Sequence, residues 1–319
     1  MAPQASTPPL RVVYFGTPAF AVPTLAALLE SRHSVVGVVS QPDRPSGRGH
    51  RTAATPTKEL ALGYGVPVLQ PLKLRDEAFL SSIAELRADL GVVAAYGRIL
   101  PDVLLAIPRL GMINVHASLL PAYRGAAPVH RAVIAGETVT GVTIMRVVRE
   151  LDAGPMLARV TVPIAPDATS PEVEGDLAQR GAALLLEVVE QLAGGAATET
   201  PQDEAQATYA PKVLKSESAI DWSLPARRIH NLVRGLQPWP MASTMMAGAR
   251  VLIHRTAVDE MAPIANSGTI LEAGGDALTV ATGDHVIRIL QVQPEGRRAM
   301  TAREFLSGHR VVPGLRLPS

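Results

Sequence analysis

Short Val-rich apolar runs alternate with stretches of helical apolar spacing through the first 117 residues, and this alternation constrains the fold more than any other feature. The runs are RVVYF (11–15), SVVGVV (34–39), VPVL (66–69), LGVVAA (90–95) and MINVHA (112–117). They are too short for buried helices and too uniformly apolar for strands with one wet face, so they fit strands covered on both faces. Helical segments are expected around Thr55–Tyr64 and Asp76–Ala88, and Thr17-Pro18 is expected to cap and open the helix after the first run. Strand alternating with helix implies a parallel sheet with right-handed crossovers. Further strands at 140–148 and 155–163 and a long helix over about Ser170–Leu192 complete an α/β, Rossmann-like, mostly parallel sheet.

At 319 residues the chain suits two domains. The acidic, small-residue stretch GGAATETPQDEAQA (194–207) reads as a linker, giving a first domain over 1–193, a linker over 194–209 and a second domain over 210–319. After a helix near Pro225–Gly235, short strands near 250–257, 268–272, 277–281 and 285–293 with Gly turns predict a small, OB-like β-barrel. With 47% hydrophobic and 18% charged residues, the chain is a packed globular protein and not a disordered one. No cysteine is present, which excludes disulfides, thiolate nucleophiles and Cys-based metal sites. The first nine residues lack the cationic-then-apolar order of a leader, and no apolar run approaches a membrane span, so a cytoplasmic location is expected. Nothing demands more than a monomer. Net charge is +1 overall, but residues 210–319 carry a net +4 and the remainder −3, which puts the positive end on the C-terminal third.

Several chemistries are disfavoured. Gly16-Thr17-Pro18 lacks the later glycines of a dinucleotide fingerprint, and Pro18 removes a phosphate-binding N–H donor. No P-loop, no H-E-x-x-H and no G-x-S-x-G occurs. Asn114-Val115-His116 stands out instead. In a strand, residues two apart share a face, so the amide and the imidazole emerge together at a carboxyl end, where open α/β sheets bind ligands. A strand-end histidine with a polar neighbour would look the same. Three features count against that simpler account: the rigid Ser118-Leu119-Leu120-Pro121 loop, Arg124-Gly125 before a helix, and Asp152 in a turn after the next strand. A carboxylate near an imidazole raises its basicity, and an amide N–H can stabilise an oxyanion. Asn, His and Asp without a nucleophile suit direct attack of a substrate amine on an activated carbonyl. The loop Gln41–Arg51 is rich in Pro and Gly and carries Arg44, Arg48 and Arg51; it is either a solvated loop or an arm that touches phosphates.

Taken together, FGTPAFA, QPDRPSGRG, VVAAYGRILP, GMINVHASLLPAYRGAAPVHRAV, GVTIMRVVRELDAGPML, TYAPKVLKSESAIDWS, QPWPM and EGRRAM make the chain resemble, almost end to end, the methionyl-tRNA formyltransferase family. The N-x-H-x-S-L-L-P block with a downstream L-D-x-G is shared by formyltransferases that use 10-formyltetrahydrofolate. The resemblance implies Asn114, His116 and Asp152 as the catalytic trio and folate along Ser118, Leu119, Leu120 and Pro121, with further contacts at Arg98 and Leu100. It implies initiator methionyl-tRNA as the partner, gripped by Arg44, Arg48 and Arg51 and by Lys212 and Lys215 of the C-terminal domain, with no metal. The chain departs from the family pattern at Ala117, Glu150, Ala153 and Pro155, and His50-Arg51 stand where a Lys pair is common. A sugar-nucleotide formyltransferase is the nearest alternative and would need a substrate pocket in place of the basic arm. A dinucleotide oxidoreductase lacks its glycine fingerprint, and a non-catalytic RNA-binding protein would leave the trio unexplained.

Overall fold

Arg11–Gly16 forms β1, whose residues after Arg11 are all buried, as a Val-rich run covered on both faces should be. The computed structural model describes residues 8–46 and 51–318. β1 is followed by α1 (Val22–Glu30), β2 (Ser34–Val39), a small hairpin of β3 (Arg44–Ser46) and β4 (Arg51–Ala53), α2 (Pro56–Gly63), β5 (Val68–Leu69) and α3 (Glu77–Glu85). Next come β6 (Leu90–Ala94), α4 (Asp102–Leu105), β7 (Met112–His116), β8 (Arg124–Gly125), α5 (Pro128–Ala135), β9 (Val139–Arg146), β10 (Met156–Pro163), α6 (Ser170–Ala193) and β11 (Tyr209–Ala210).

The main sheet has the order β10-β9-β7-β6-β1-β2-β5. β5, β2, β1, β6 and β7 run parallel, and β9 is antiparallel to β7. The chain winds outward from β1 through β2 to β5, then returns to β6 on the other side of β1. That reversal places a topological switch point between β1 and β6, where α/β sheets of this kind bind ligands. A cluster of Val13, Phe15, Val39, Ile83, Leu104 and Met112 fills the space between sheet and helices. One local expectation fails. Thr17 does not cap a helix: Ala19–Ala21 is a 3-10 turn, and α1 begins at Val22 with Pro23 in its first turn, the position proline tolerates best. The Thr17 hydroxyl accepts the Gln41 N–H at 3.3 Å instead.

The chain divides into two compact units, the first comprising residues up to 126 with 140–162 and 174–210, the second 127–139, 163–173 and 211 onward. In the second, α7 (Ala226–Gly235) precedes β12 (Ala242–Met246), β13 (Ala249–Asp259), β14 (Ile270–Gly274), β15 (Ala277–Ala281), β16 (Val286–Pro294) and β17 (Met300–Thr301), and α8 (Ala302–Gly308) follows. The strands form an antiparallel sheet in the order β12-β13-β16-β15-β14, with β17 on β16, an open path among the described residues. Its core holds Trp222, Ile229, Ile253, Ile287 and Phe305. α5 and the 163–173 segment belong to this unit because they bond to α7 and its approach. His130 Nδ1 and the Ser170 hydroxyl both donate to the Gly235 carbonyl, at 2.7 and 2.9 Å. Arg131 grips the Glu217 carboxylate at 2.6 and 2.9 Å. No helix among the described residues is long and apolar enough to cross a membrane.

Glu172, in the first turn of α6, accepts from the Thr169 N–H at 2.7 Å and the Thr169 hydroxyl at 2.8 Å, and from Arg255 at 2.8 Å. These bonds to the ionised form, the Thr169 backbone bond foremost, hold its carboxyl down from 4.5 to about 2. A depressed carboxyl stabilises the fold above its unfolded value and loses that contribution as pH falls through the folded one. The difference in thermal midpoint between the wild type and Glu172→Gln is therefore expected to be full at neutral pH and to shrink as pH falls from 4.5 towards about 2. Scanning calorimetry across that range checks it.

Candidate active site

β7 runs between β6 and β9, with Asn114 opposite Val93 on one side and Met145 on the other. Asn114 and His116 lie on one face of the strand, as period-two geometry requires. Asn114 is half-buried, and its amide makes no hydrogen bond to any described residue. His116 is buried, 5% exposed. Its Nε2 lies 3.0 Å from the Tyr123 carbonyl oxygen. A carbonyl can only accept, so Nε2 carries a hydrogen and donates it. The other ring nitrogen, Nδ1, faces Asp152 Oδ2 at 3.7 Å.

Asp152 sits in the turn after β9 with φ +50, a conformation that a non-glycine residue holds only when its surroundings over-determine it. Its Oδ2 accepts the Gly125 N–H at 2.8 Å. That approach depends on glycine: Gly125 has φ +116, and a Cβ there would meet the Ala210 carbonyl oxygen at 3.0 Å. On the far side of Asp152, a Cβ on Gly154 would fall inside the van der Waals shell of the Arg146 carbonyl oxygen. Gln202 and Arg124 hold the same turn. Gln202 Nε2 donates to the carbonyls of Asp152 and Gly154, both at 2.8 Å, and Gln202 Oε1 accepts from Arg124 Nη2 at 2.8 Å.

The loop after β7 is fixed from within. The Ser118 hydroxyl is buried and donates to the Ala122 carbonyl at 2.6 Å. Thr143 Oγ1 donates to the Ser118 carbonyl at 2.7 Å and accepts the Leu120 N–H at 3.1 Å. Leu120 packs inward with Met145 and Met156, while Leu119 and Pro121 are half-buried. With the Ser118 and Leu120 side chains used internally, this loop presents mainly backbone to any ligand. Beyond β6, Arg98 is exposed and spends its guanidinium on the Pro71 and Leu72 carbonyls, at 3.0 and 2.7 Å. Leu100 is buried in the core, whereas Ile99 between them is 81% exposed.

At the carboxyl ends of β1, β2 and β6 lies a cleft of about 500 Å³ lined by residues including Thr17, Gln41, Arg44, Thr55 and Ala95. Exposed Arg44 opens β3 on its rim, its Nη2 donating to Gln41 Oε1 at 2.9 Å. Gln41 is anchored in turn to the Tyr96 carbonyl at 2.7 Å. Asp43, beside it, bonds Lys58 and Gln70, and the Lys58 ammonium first of all holds its carboxyl below the usual range. Arg51 begins β4, and Arg48 lies outside the described residues. In the second unit Lys212 and Lys215 are exposed, and Arg131 fixes their segment by donating to the Pro211 and Lys212 carbonyls at 3.0 and 2.8 Å.

Sequence reasoning missed Gln41, Thr143, Gln202 and Glu204. For the last two a signal existed: Gln-Asp-Glu in a stretch made mostly of small residues. That stretch is not a free tether. Thr200 exchanges backbone bonds with Met156, each 2.8 Å, and β11 pairs in parallel with β8.

A formyl transferase family model matches residues 10–189, and a formyl transferase C-terminal domain model matches residues 212–310. The chain is 44% identical over 305 residues to the methionyl-tRNA formyltransferase of Moorella thermoacetica, covering 96% of this chain and 98% of that protein. Among solved structures it is similar in fold to an N-formyltransferase from Helicobacter canadensis in complex with folinic acid and dTDP-3-aminofucose, at TM-score 0.69 and 16% identity over 89% of this chain and 99% of that one. It is also similar to HypX from Aquifex aeolicus in complex with tetrahydrofolic acid, at TM-score 0.65 and 18% identity, covering 94% of this chain but spanning only 47% of the longer one. With both domain models matched in order and a close relative aligned along nearly its whole length, the chain belongs to the formyl transferase family.

Proposed function

We propose that the chain transfers the formyl group of 10-formyltetrahydrofolate to the α-amine of initiator methionyl-tRNA. The observation that carries this reading is the facing of His116 Nδ1 and the Asp152 carboxylate, 3.7 Å apart, on the strand end that also carries the uncommitted Asn114 amide. The substrate class is supported by the 44% identity to the Moorella enzyme.

The amine nitrogen attacks the formyl carbon, and the carbonyl π pair moves to oxygen. The Asn114 N–H and, on exchanging its bond to the Tyr123 carbonyl, the His116 Nε2–H stabilise that oxyanion. The proton shed by the amine passes to the His116–Asp152 pair, and the carboxylate offsets the imidazolium charge. Collapse of the tetrahedral intermediate breaks the bond to N10 of the folate, and N10 leaves with that proton. No protein nucleophile is needed, in keeping with a Ser118 hydroxyl already committed to Ala122. Folate lies against the backbone of 118–121 and of 98–100, with exposed Ile99 as an apolar face. The tRNA acceptor end reaches the cleft beside Arg44, with Arg48, Arg51, Lys212 and Lys215 contributing phosphate contacts.

Mixing the purified protein with 10-formyltetrahydrofolate and charged initiator tRNA tests the reading: formylmethionyl-tRNA is the expected product, and no formylated tRNA would overturn it. Arg44→Ala is expected to raise KM for tRNA with little change in kcat, and to flatten the log–log salt dependence of tRNA binding by about one unit of slope. An unaltered slope would leave Arg44 as a residue that only braces Gln41.

A further inference from the structure

Gln202 lies in the segment that composition marks as a linker, yet its carboxamide is fully engaged. Nε2 donates to the carbonyl oxygens of Asp152 and Gly154, both at 2.8 Å. Oε1 accepts from Arg124 Nε at 3.1 Å and from Nη2 at 2.8 Å. The partners fix which way the amide points, because carbonyls only accept and a guanidinium only donates. Arg124 is 2% exposed, and Glu204 completes its bonding at 2.7 and 2.9 Å. The Arg124 side chain thus orients Gln202, and Gln202 grips the backbone at Asp152 and again two residues later. Those two anchor points fix the backbone that follows the Asp152 Cα, and so the base from which the carboxylate projects. Asp152 stands at φ +50, a left-handed conformation that aspartate adopts more readily than most residues but that still costs backbone energy. Its carboxylate is held by Gly125, whose strand β8 pairs with β11, at the end of the segment that carries Gln202.

From this geometry we infer that Gln202 is a positioning residue for formyl transfer, holding the Asp152 turn so that the carboxylate faces His116. The inference rests on the role given to Asp152 above. Its two ends can be separated. Gln202→Glu keeps the acceptor for Arg124 but replaces the donor that the two carbonyls need; Gln202→Met removes both ends at similar length. Displacing a catalytic group by about 1 Å costs on the order of 10²-fold in rate, and both variants are expected to lose roughly 10- to 100-fold in kcat per folded molecule. KM for methionyl-tRNA and for 10-formyltetrahydrofolate should stay close to wild type. The pH profile of kcat should also move, because the variants change the separation of the His116 imidazole and the Asp152 carboxylate, the pair given the proton-handling role.

The full-length protein is assayed with both substrates, folded fraction is read by circular dichroism at the assay temperature, and Asp152→Ala is run alongside. Wild-type kcat in Gln202→Glu, or a lowered kcat with an unmoved pH profile, beside an inactive Asp152→Ala, would overturn the inference and leave Gln202 as a partner of Arg124 alone. Should Gln202→Glu not fold, the same two readouts on Gln202→Met decide. Wild-type turnover in Asp152→Ala would instead overturn the underlying role of Asp152.

Discussion

Alanine at His116 or Asp152 is expected to lower kcat for formylmethionyl-tRNA synthesis by about 10²–10⁴-fold, the range for loss of a placed acid–base group. Both side chains are largely shielded from water, and their facing atoms are 3.7 Å apart. Under the proposed mechanism the two act as one unit, so the double variant is expected to fall little below the worse single one. Asn114→Ala should cost about 10²–10³-fold, as removal of one oxyanion donor does. Asp152→Asn separates charge from shape: an amide oxygen can still accept the Gly125 N–H, but it cannot offset an imidazolium, so turnover should collapse while thermal stability is kept. tRNA binding, measured by filter retention, should be nearly unchanged in all five. A variant whose main defect is weaker tRNA binding would contradict the assignment.

The second large effect is expected at Gly154. A Cβ there collides with the Arg146 carbonyl oxygen, a backbone atom next to the Arg146 N–H that bonds the Pro155 carbonyl at 2.8 Å. Neither strand end can yield without breaking that pair. Overpacking of this kind costs typically 1–3 kcal/mol, and more where only backbone can move, so Gly154→Ala is expected to lose about 3 kcal/mol. It should also misplace Asp152, two residues away. Thermal unfolding together with kcat checks both parts: a fall in midpoint without loss of turnover would detach the turn from the chemistry. Gly63→Ala, where a Cβ meets nothing within 4 Å, is the control for a glycine without such a neighbour.

The parallel sheet was legible because its strands are short, Val-rich and covered on both faces, and LGVVA of β6 is buried at every residue. Same-face placement of Asn114 and His116 followed from strand periodicity alone. What the sequence hides is pairing over long separations. Arg124 looks like a loop cation free for a ligand, but it is buried against Gln202 and Glu204, some 80 residues away in a stretch whose composition is that of a tether. Ser118 and Leu120 sit in a motif that suggests ligand contact, yet their side chains turn inward, because Thr143 on β9 captures the loop backbone. α5 lies between strands of the first unit in sequence but bonds to α7, and no local pattern announces a contact with a residue more than 100 positions on. Basic character in the 41–51 loop was readable, but its anchor, Gln41 bonded to the Tyr96 carbonyl, required the sheet order to be known.

Acceptor selectivity tests the central claim most directly. With 10-formyltetrahydrofolate as donor, kcat/KM is measured for initiator methionyl-tRNA and for a dTDP-linked amino sugar, in the wild type and in His116→Ala. Rapid formylation of the tRNA amine, negligible formylation of the sugar and loss of the tRNA reaction in His116→Ala are the predicted results. Preferential formylation of the amino sugar, or undiminished tRNA formylation in His116→Ala, would contradict the account.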